Sequence, residues 1–531
     1  MRTPLLLYGL ALVVRVVLIW HFPHPAYPDS FYYADVARSL SAGQGFSVDF
    51  IWIFPEVGGG IPADPTLPIP SNAHWMPLAS IVQLPFLALF GDVAWAAALP
   101  FALIGATAAP LTWAIARDAG ARADVALASG FLVAVPLLSA VYLVQPDNFS
   151  LYQPLVIGAL WLGARGLKGS GRSFIVAGLL AGLATLSRND GVLVLAALGL
   201  GFAWDRWRAW RSGGTRPPRI GRGSALACIA VFMLVLAPWW ARQLAVFGSL
   251  SPSTASGKVL FIRDIGEWNS IATPATMQHL LDMGIGPLVT SRILGLVAAA
   301  IIYATLVAGF VLAPLMVVGA WGRRRSVDFG PFFAYAALLF GFSALISAVH
   351  VPGGTFIHSA VALAPYSYIL ALEGICIAVD WVAARRPSWD ARAASRAFIG
   401  ATAAFSVVAA VAGSFVVHGV WSTRTERFIA VGRALDDAGA PVTDRVMSID
   451  AAGTKYWSGR GGVVLVNDPL DTIESVARAY DIRWLVLDRG DSVPAMSPVL
   501  DGGERPVWIG DPIMTAGDPV DLAVYPLELG S

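Results

Sequence analysis

The sequence predicts a polytopic α-helical membrane protein of about eleven transmembrane helices, followed by a small extracytoplasmic α/β domain. Three observations carry this expectation. Of the 531 residues, 56% are hydrophobic and only 13% are charged, where a soluble domain carries about 25% charged residues. The apolar residues fall in runs long enough to cross a bilayer. The arginines between those runs recur at alternate loops, which marks one side as cytoplasmic. The net charge of +1 gives no footprint for nucleic acid. The two cysteines, Cys228 and Cys376, lie inside apolar runs, so they read as small core residues and imply no disulfide framework.

Taken in order, residues 4–22 are apolar apart from Arg15. Their length suits a retained first span, and no small-residue cleavage site follows. Arg15 is costly in lipid and is therefore a functional candidate or the partner of a carboxylate. The loop 23–76 holds Asp29, Asp35, Asp49, Glu56 and Asp64 against Arg38 alone, an acidic bias that suits the outer side. Within it, Asp29 stands where a helix N-cap is expected and Gly43 where a C-terminal glycine is expected. Residues 77–90 are short for a span and read as an interfacial helix. Further spans are expected over 93–116, 124–143, 149–165, 173–188, 190–204, 223–241, 293–319, 331–349, 359–383 and 397–417. With 77–90 not crossing, the arginine-rich loops at 117–122, 165–172, 205–222, 323–325 and 385–396 share the N-terminal, cytoplasmic side.

From residue 424 the charges return, and helix and strand alternate: a helix over 425–438, strands at 445–450, 463–466 and 484–487, a helix over 471–480. That pattern predicts a separate α/β domain over 424–531, after a membrane domain over 1–423 that includes the loop 23–76. It contains neither a dinucleotide-binding glycine turn nor a P-loop.

This threading puts Asp29, His74, Asp147, Arg188, Arg242, Lys258, His350 and His358 at the external ends of spans or in external loops. The run Tyr33, Ala37, Arg38, Leu40, Gly43 and Gly45 after Asp29 resembles the first external loop of the GT-C glycosyltransferases. Those enzymes take a sugar from a polyprenyl-phosphate carrier, and the protein O-mannosyltransferases and the lipid A aminoarabinose transferase are the most similar by pattern. The stretch Leu186-Ser187-Arg188-Asn189-Asp190-Gly191 is similar to a second family motif, with Asn189 in place of its proline. Pro238-Trp239-Trp240-Ala241-Arg242-Gln243 is similar to a third, with Gln243 in place of asparagine. His358 followed by Pro365 matches a fourth.

The resemblance implies a catalytic carboxylate at Asp29, with Asp147 as a second acidic residue. It implies donor-phosphate binding by Arg188, Arg242, His358 and His74, and sugar contacts by Tyr32, Tyr33 and Trp75. Each has a plainer reading: Asp29 as a helix cap, Asp147 as a turn residue, Arg188 paired with Asp190 or Asp147, Arg242 as an interfacial anchor, and Trp75 as part of the aromatic belt. His74, His350 and His358 lack the close spacing of a metal site; no cofactor is read, and a divalent cation is left open.

The expected function is transfer of a hexosyl or pentosyl group from a polyprenyl-phosphate donor to a lipid, glycan or protein acceptor. It would take place at the outer face of a plasma (inner) membrane, with the N-terminus cytoplasmic. The alternative is a transporter or flippase of lipid-linked sugars.

Overall fold

The protein is described from a computed structural model, which covers residues 2–213, 215–250, 252, 257–346, 354–386, 388–490 and 493–530. His350 lies outside the described residues. Six described helices are long and apolar enough to cross a membrane, and a seventh crossing is made if the bent pair Ala123–Ala134 and Leu137–Val144 counts as one. We number the helices used below in chain order: α1 (Arg2–His21), α2 (Pro28–Ser41), α3 (Phe149–Leu167), α4 (Gly171–Ser187), α5 (Arg222–Phe247), α6 (Ala313–Arg323), α7 (Gly354–Ala360), α8 (Ala364–Ala383), α9 (Ala391–Asp437), α10 (Ala451–Ser458) and α11 (Leu470–Ala479).

The two ends of the bundle differ in what they hold. At one end Arg165 pairs with Asp118 at 2.9 Å, Lys168 pairs with Asp328, and Arg323 donates to the carbonyl of Ala119 at 3.0 Å. These are the loops that the arginine pattern assigns to one side. At the other end lie Asp29, Asp147 and His358, whose ligand atoms all fall within 4.8 Å of one another.

Several elements depart from expectation. The run expected as one span over 293–319 is two helices, Ile285–Ile302 and α6, joined through a π-turn at Tyr303–Val307. The break follows from Gly309 and Phe310, which sit at φ 51° and 58°, a conformation no α-helix continues. Residues 77–90 form two short helices, Leu78–Ile81 and Leu84–Phe90. The Gln83 side chain at the break donates to the carbonyls of Ala79 and Tyr33 at 2.8 and 3.2 Å, tying it to α2. Asp29 is not the cap of α2. Tyr27 occupies the N-cap position, and Ser30 Oγ accepts from the amides of Ala26 and Tyr27. Asp29 is the second residue of the helix, still within reach of its positive end. Gly43, at φ 77°, does stand just past the end of that helix.

The tail is built on a six-stranded sheet in the order β2-β5-β4-β6-β8-β7. Its strands are β4 (Arg445–Ser448), β5 (Gly462–Val464), β6 (Ile482–Asp488), β7 (Met514–Ala516) and β8 (Leu522–Pro526), with β2 (Phe50–Ile51) contributed by the first loop. Strands β2, β5, β4 and β6 run parallel, and β8 and β7 close the sheet antiparallel. A separate small ladder, β1 (Ser47–Val48) with β3 (Ile69–Pro70), folds the loop onto itself. The helix expected over 425–438 and the span expected over 397–417 are one element: α9 runs unbroken for 47 residues, roughly 70 Å, from the bundle to the sheet. The expected boundary at 423/424 falls inside it.

Small residues bring two helices into close contact. A Cβ built at Gly319 of α6 would lie 1.9 Å from the carbonyl oxygen of Leu370, and one at Gly374 of α8 would lie 2.0 Å from that of Leu315. The two backbones therefore touch directly, as small residues allow in membrane bundles. Because α8 follows α7, this contact also anchors the segment that carries His358. Gly374→Leu should force the pair apart and cost about 1–3 kcal/mol, read as a lowered thermal midpoint of the purified protein; an unchanged midpoint would show that the contact is dispensable.

Candidate active site

The acidic cluster is assembled from three distant segments. Asp29 comes from the first turn of α2, Asp147 from the turn before α3, and His358 from α7. Asp29 Oδ1 accepts from the indole of Trp75 at 2.9 Å, and its other oxygen lies 3.6 Å from His358 Nε2. Asp147 Oδ2 accepts from the Tyr27 hydroxyl at 2.9 Å. The His358 ring stacks on Phe149, centroids 5.0 Å apart.

Burial governs the charges here. It pushes the Asp29 carboxyl up, opposed by the Trp75 hydrogen bond and by the Arg188 guanidinium. Burial, with the neighbouring charge of Asp29, pushes Asp147 up to about 7. Burial and Arg188 push His358 down to about 3, so its imidazole is neutral at pH 7 and the contact with Asp29 is not an ion pair. Two carboxylates and a neutral imidazole offer oxygen and nitrogen donors to one point, a donor set that fits a divalent cation.

Arg188 stands beside this cluster at the C-terminal end of α4. Its Nε donates to Asp190 and to Ser359 Oγ, both at 3.0 Å, and Ser359 in turn donates to Asp190. The side chain is thereby aimed by its own loop and by α7. Asn189, where the family motif has proline, donates to the carbonyl of His74 at 2.7 Å and ties that loop to the first one. The His74 ring meets Trp75 edge-on at 4.9 Å. Tyr33 feels the charges of Asp147, Asp29 and Arg188, so it borders the same point.

Tyr32, Trp75 and Arg242 have other work. Tyr32 is fully buried; its hydroxyl donates to Glu56 Oε1 at 3.1 Å and accepts from the Asn72 amide at 2.7 Å. The Trp75 indole stacks on Trp52 at 4.5 Å and spends its N–H on Asp29. Both act as scaffold under the cluster, with no open ring face for a sugar. Arg242 donates to the carbonyls of Ser71 and Phe46, at 2.9 and 3.3 Å, and packs over the rings of Phe46 and Trp239. It clamps the first loop to α5.

Four contributors escape sequence reasoning: Tyr27, Phe149, Ser359 and Glu56. The first three act through contacts between segments far apart in sequence. Glu56 lies in a glycine- and proline-rich stretch that carries no periodic signal.

A bundle with acidic groups and a guanidinium gathered at one end, under a sheet that takes in the first loop, is the architecture of the GT-C membrane glycosyltransferases, and the chain has that fold. A profile of the family described as dolichyl-phosphate-mannose-protein mannosyltransferase matches residues 74–241. Among solved structures, ArnT from Cupriavidus metallidurans bound to undecaprenyl phosphate superposes with a TM-score of 0.59 at 15% identity, over 98% of this chain and 97% of that one. The Archaeoglobus fulgidus oligosaccharyltransferase in complex with Zn and sulfate superposes with a TM-score of 0.55 at 14% identity, over 96% of this chain and 71% of that one. No curated protein sequence matches.

Glu56 gives a pH test of this scaffold. Burial pushes its carboxyl up to about 8, with the Tyr32 hydroxyl and the Trp52 and Ile53 amides opposing. The folded protein therefore holds a proton that the unfolded chain releases in the ordinary carboxylate range. Stability should fall as pH rises from that range through about 8. Glu56→Gln should flatten that fall and raise the thermal midpoint at alkaline pH; a midpoint with the same pH slope in both proteins would place the proton elsewhere.

Proposed function

We propose that this protein is a membrane glycosyltransferase that moves a sugar from a polyprenyl-phosphate donor to an acceptor hydroxyl. The observation that carries the reading is the convergence of Asp29, Asp147 and His358 with Arg188 at one end of the bundle. A donor tethered by its lipid presents its phosphate at that depth. The structural likeness to ArnT bound to undecaprenyl phosphate supports a carrier of this kind.

The chemistry follows from the charges. The acceptor oxygen attacks C1 of the sugar, and its proton passes to a carboxylate, Asp29. The C1–O bond to phosphate breaks with its electron pair, releasing the polyprenyl phosphate. Negative charge grows on that leaving oxygen, and the Arg188 guanidinium, held by Asp190 and Ser359, offsets it. Asp147 shares the desolvated site, and the charge of Asp29 restrains its ionisation. Attack in line, with inversion at C1, is the stereochemical course expected from the family resemblance. Asp29, Asp147 and His358 would hold a divalent cation, which when bound supplies positive charge next to the phosphate.

We take the chain to cross a plasma (inner) membrane about eleven times, with the broken run from Ile285 to Arg323 as one crossing. The N-terminus is then cytoplasmic, and the sheet and the acidic cluster are outside. Transport is the weaker reading, because a translocation path places ionisable groups near the bilayer midplane, and these gather at an end.

Asp29→Asn should lower turnover of a polyprenyl-phosphate sugar by about 10²-fold or more, measured with reconstituted protein. Near-full turnover in that variant would refute the assignment of the base. Arg188→Lys keeps the charge but loses the planar fork, and should slow transfer by about tenfold, with a larger loss in Arg188→Ala. Equal activity of all three proteins would remove Arg188 from the phosphate site.

A further inference from the structure

The end of the bundle away from the acidic cluster holds a cleft that the transfer chemistry does not use. α8 begins just after the segment that carries His358 and ends at this cleft, about 30 Å further along. The helix Ala123–Ala134, the last turn of α8 and the first turns of α9 pack together there. Between them opens a cavity of about 640 Å³, within the usual range for a small-molecule site. Its charged lining is Arg122 and Asp124 at the start of the first helix, Asp380 on α8, and Arg392 and Arg396 on α9.

The charges of this lining are only partly paired. Arg122 is gripped by both oxygens of Asp124, at 3.1 and 2.6 Å. Asp390, just outside the cleft, spends an oxygen on the amides of Arg392 and Ala393, at 2.9 and 3.0 Å. Asp380 acts on Arg122 through space. Among the described residues, Asp380, Arg392 and Arg396 form no ion pair. Two guanidiniums one helical turn apart and one carboxylate therefore line a common space without satisfying each other. Guanidiniums at that spacing suit a phosphate, which accepts forked donors. The carboxylate disfavours a purely anionic ligand and suits a primary ammonium, which brings three donors.

The surroundings are those of a lipid headgroup. Trp381, next to Asp380, is exposed, and the Arg385 guanidinium lies 3.8 Å from the centre of its ring, the pairing of an interfacial anchor. Ile377 on α8 and Phe398 on α9 are exposed on the bundle side of the charged lining. An acyl chain thus has apolar surface to lie along directly beside the cleft. We infer that this cleft seats the headgroup of a phospholipid that carries both a phosphate and a primary ammonium, the phosphate on Arg392 and Arg396 and the ammonium on Asp380. So seated, the lipid joins the end of α8 to the start of α9. The inference rests on the bundle and not on the transfer reading.

The test is lipid retention by the full-length protein, purified in detergent and read by native mass spectrometry. The probes are phosphatidylethanolamine, phosphatidylcholine and phosphatidylglycerol with identical acyl chains. Phosphatidylethanolamine should be held about tenfold better than either of the others, because choline has no N–H to donate and glycerol has no positive charge. Asp380→Asn should erase the preference over phosphatidylcholine. Arg392→Gln combined with Arg396→Gln should weaken retention of phosphatidylethanolamine by about tenfold or more. Both variants are checked for an unchanged fold by thermal melting. Asp29→Asn should leave retention intact, which separates this site from the transfer site. The inference falls if the three lipids are held equally, if phosphatidylglycerol is held best, or if folded variants of the cleft keep the preference of the parent protein. It falls too if O-phosphoethanolamine, which has no acyl chains, binds as well as the lipid, since the ligand would then be a free phosphate ester.

Discussion

The pairing of β2 with β5 is the constraint on which the rest depends. It is short, matching Phe50 with Gly462 and Ile51 with Val463, yet it joins the first loop to the tail sheet, beyond that loop's own two-residue ladder and its hydrogen bonds to Arg242 and Asn189. The pairing is possible because Gly461 and Gly462 carry no side chains. A Cβ at Gly461 would lie 2.1 Å from the carbonyl oxygen of Asp49, and one at Gly462 would lie 1.8 Å from that of Val446. β5 is thus admitted between β2 and β4 by two glycines. From that anchor the loop holds Trp52, Glu56, Tyr32 and Trp75 in one packed set, and the set holds Asp29.

The site shows how desolvation and proximity are balanced. Asp29 and Asp147 repel one another and are both buried, which favours protons on them. The Trp75 indole, the Tyr27 hydroxyl and the Arg188 guanidinium each push the other way. The Nε of Arg188 is engaged by Asp190 and Ser359 and not by Asp29 or Asp147. A guanidinium held off from a carboxylate pair keeps both signs of charge available within one small volume.

Much of this was legible in the sequence, for identifiable reasons. The apolar runs and the arginine loops foretold the two ends of the bundle, because spanning length and charge sidedness are local properties. Asp29, Asp147, Arg188 and His358 were each found from short motifs at the ends of such runs, and the structure brings all four together. Arg242 was also found by motif, and Tyr32 and Trp75 as aromatics of the first external loop, but neither signal can tell a side chain that lines a site from one that supports it. Only the contacts to Glu56, Asp29 and Ser71 make that distinction. The merging of the first loop with the tail sheet was not legible. A two-residue strand inside an irregular loop carries no alternation, and parallel pairing across the whole membrane region leaves no trace in spacing. The continuity of α9 was missed for a similar reason: the return of charge near residue 424 marks a change of composition, not an end of helix.

The marriage of β2 to β5 also sets an order of assembly. Synthesis delivers Phe50 and Ile51 early, while their partners at Gly462 and Val463 emerge only after nearly all of the hydrophobic helices have been made and inserted. Such distant contacts form late, since the intervening chain must first be closed into a loop. A nascent chain halted before residue 462 would already contain Asp29, Asp147, Arg188 and His358, and yet lack the strand that steadies the segment bearing the first of them. β5 thus acts as a keystone, and the segment bearing Asp29 is steadied by the sheet only once residues 462–464 have been made.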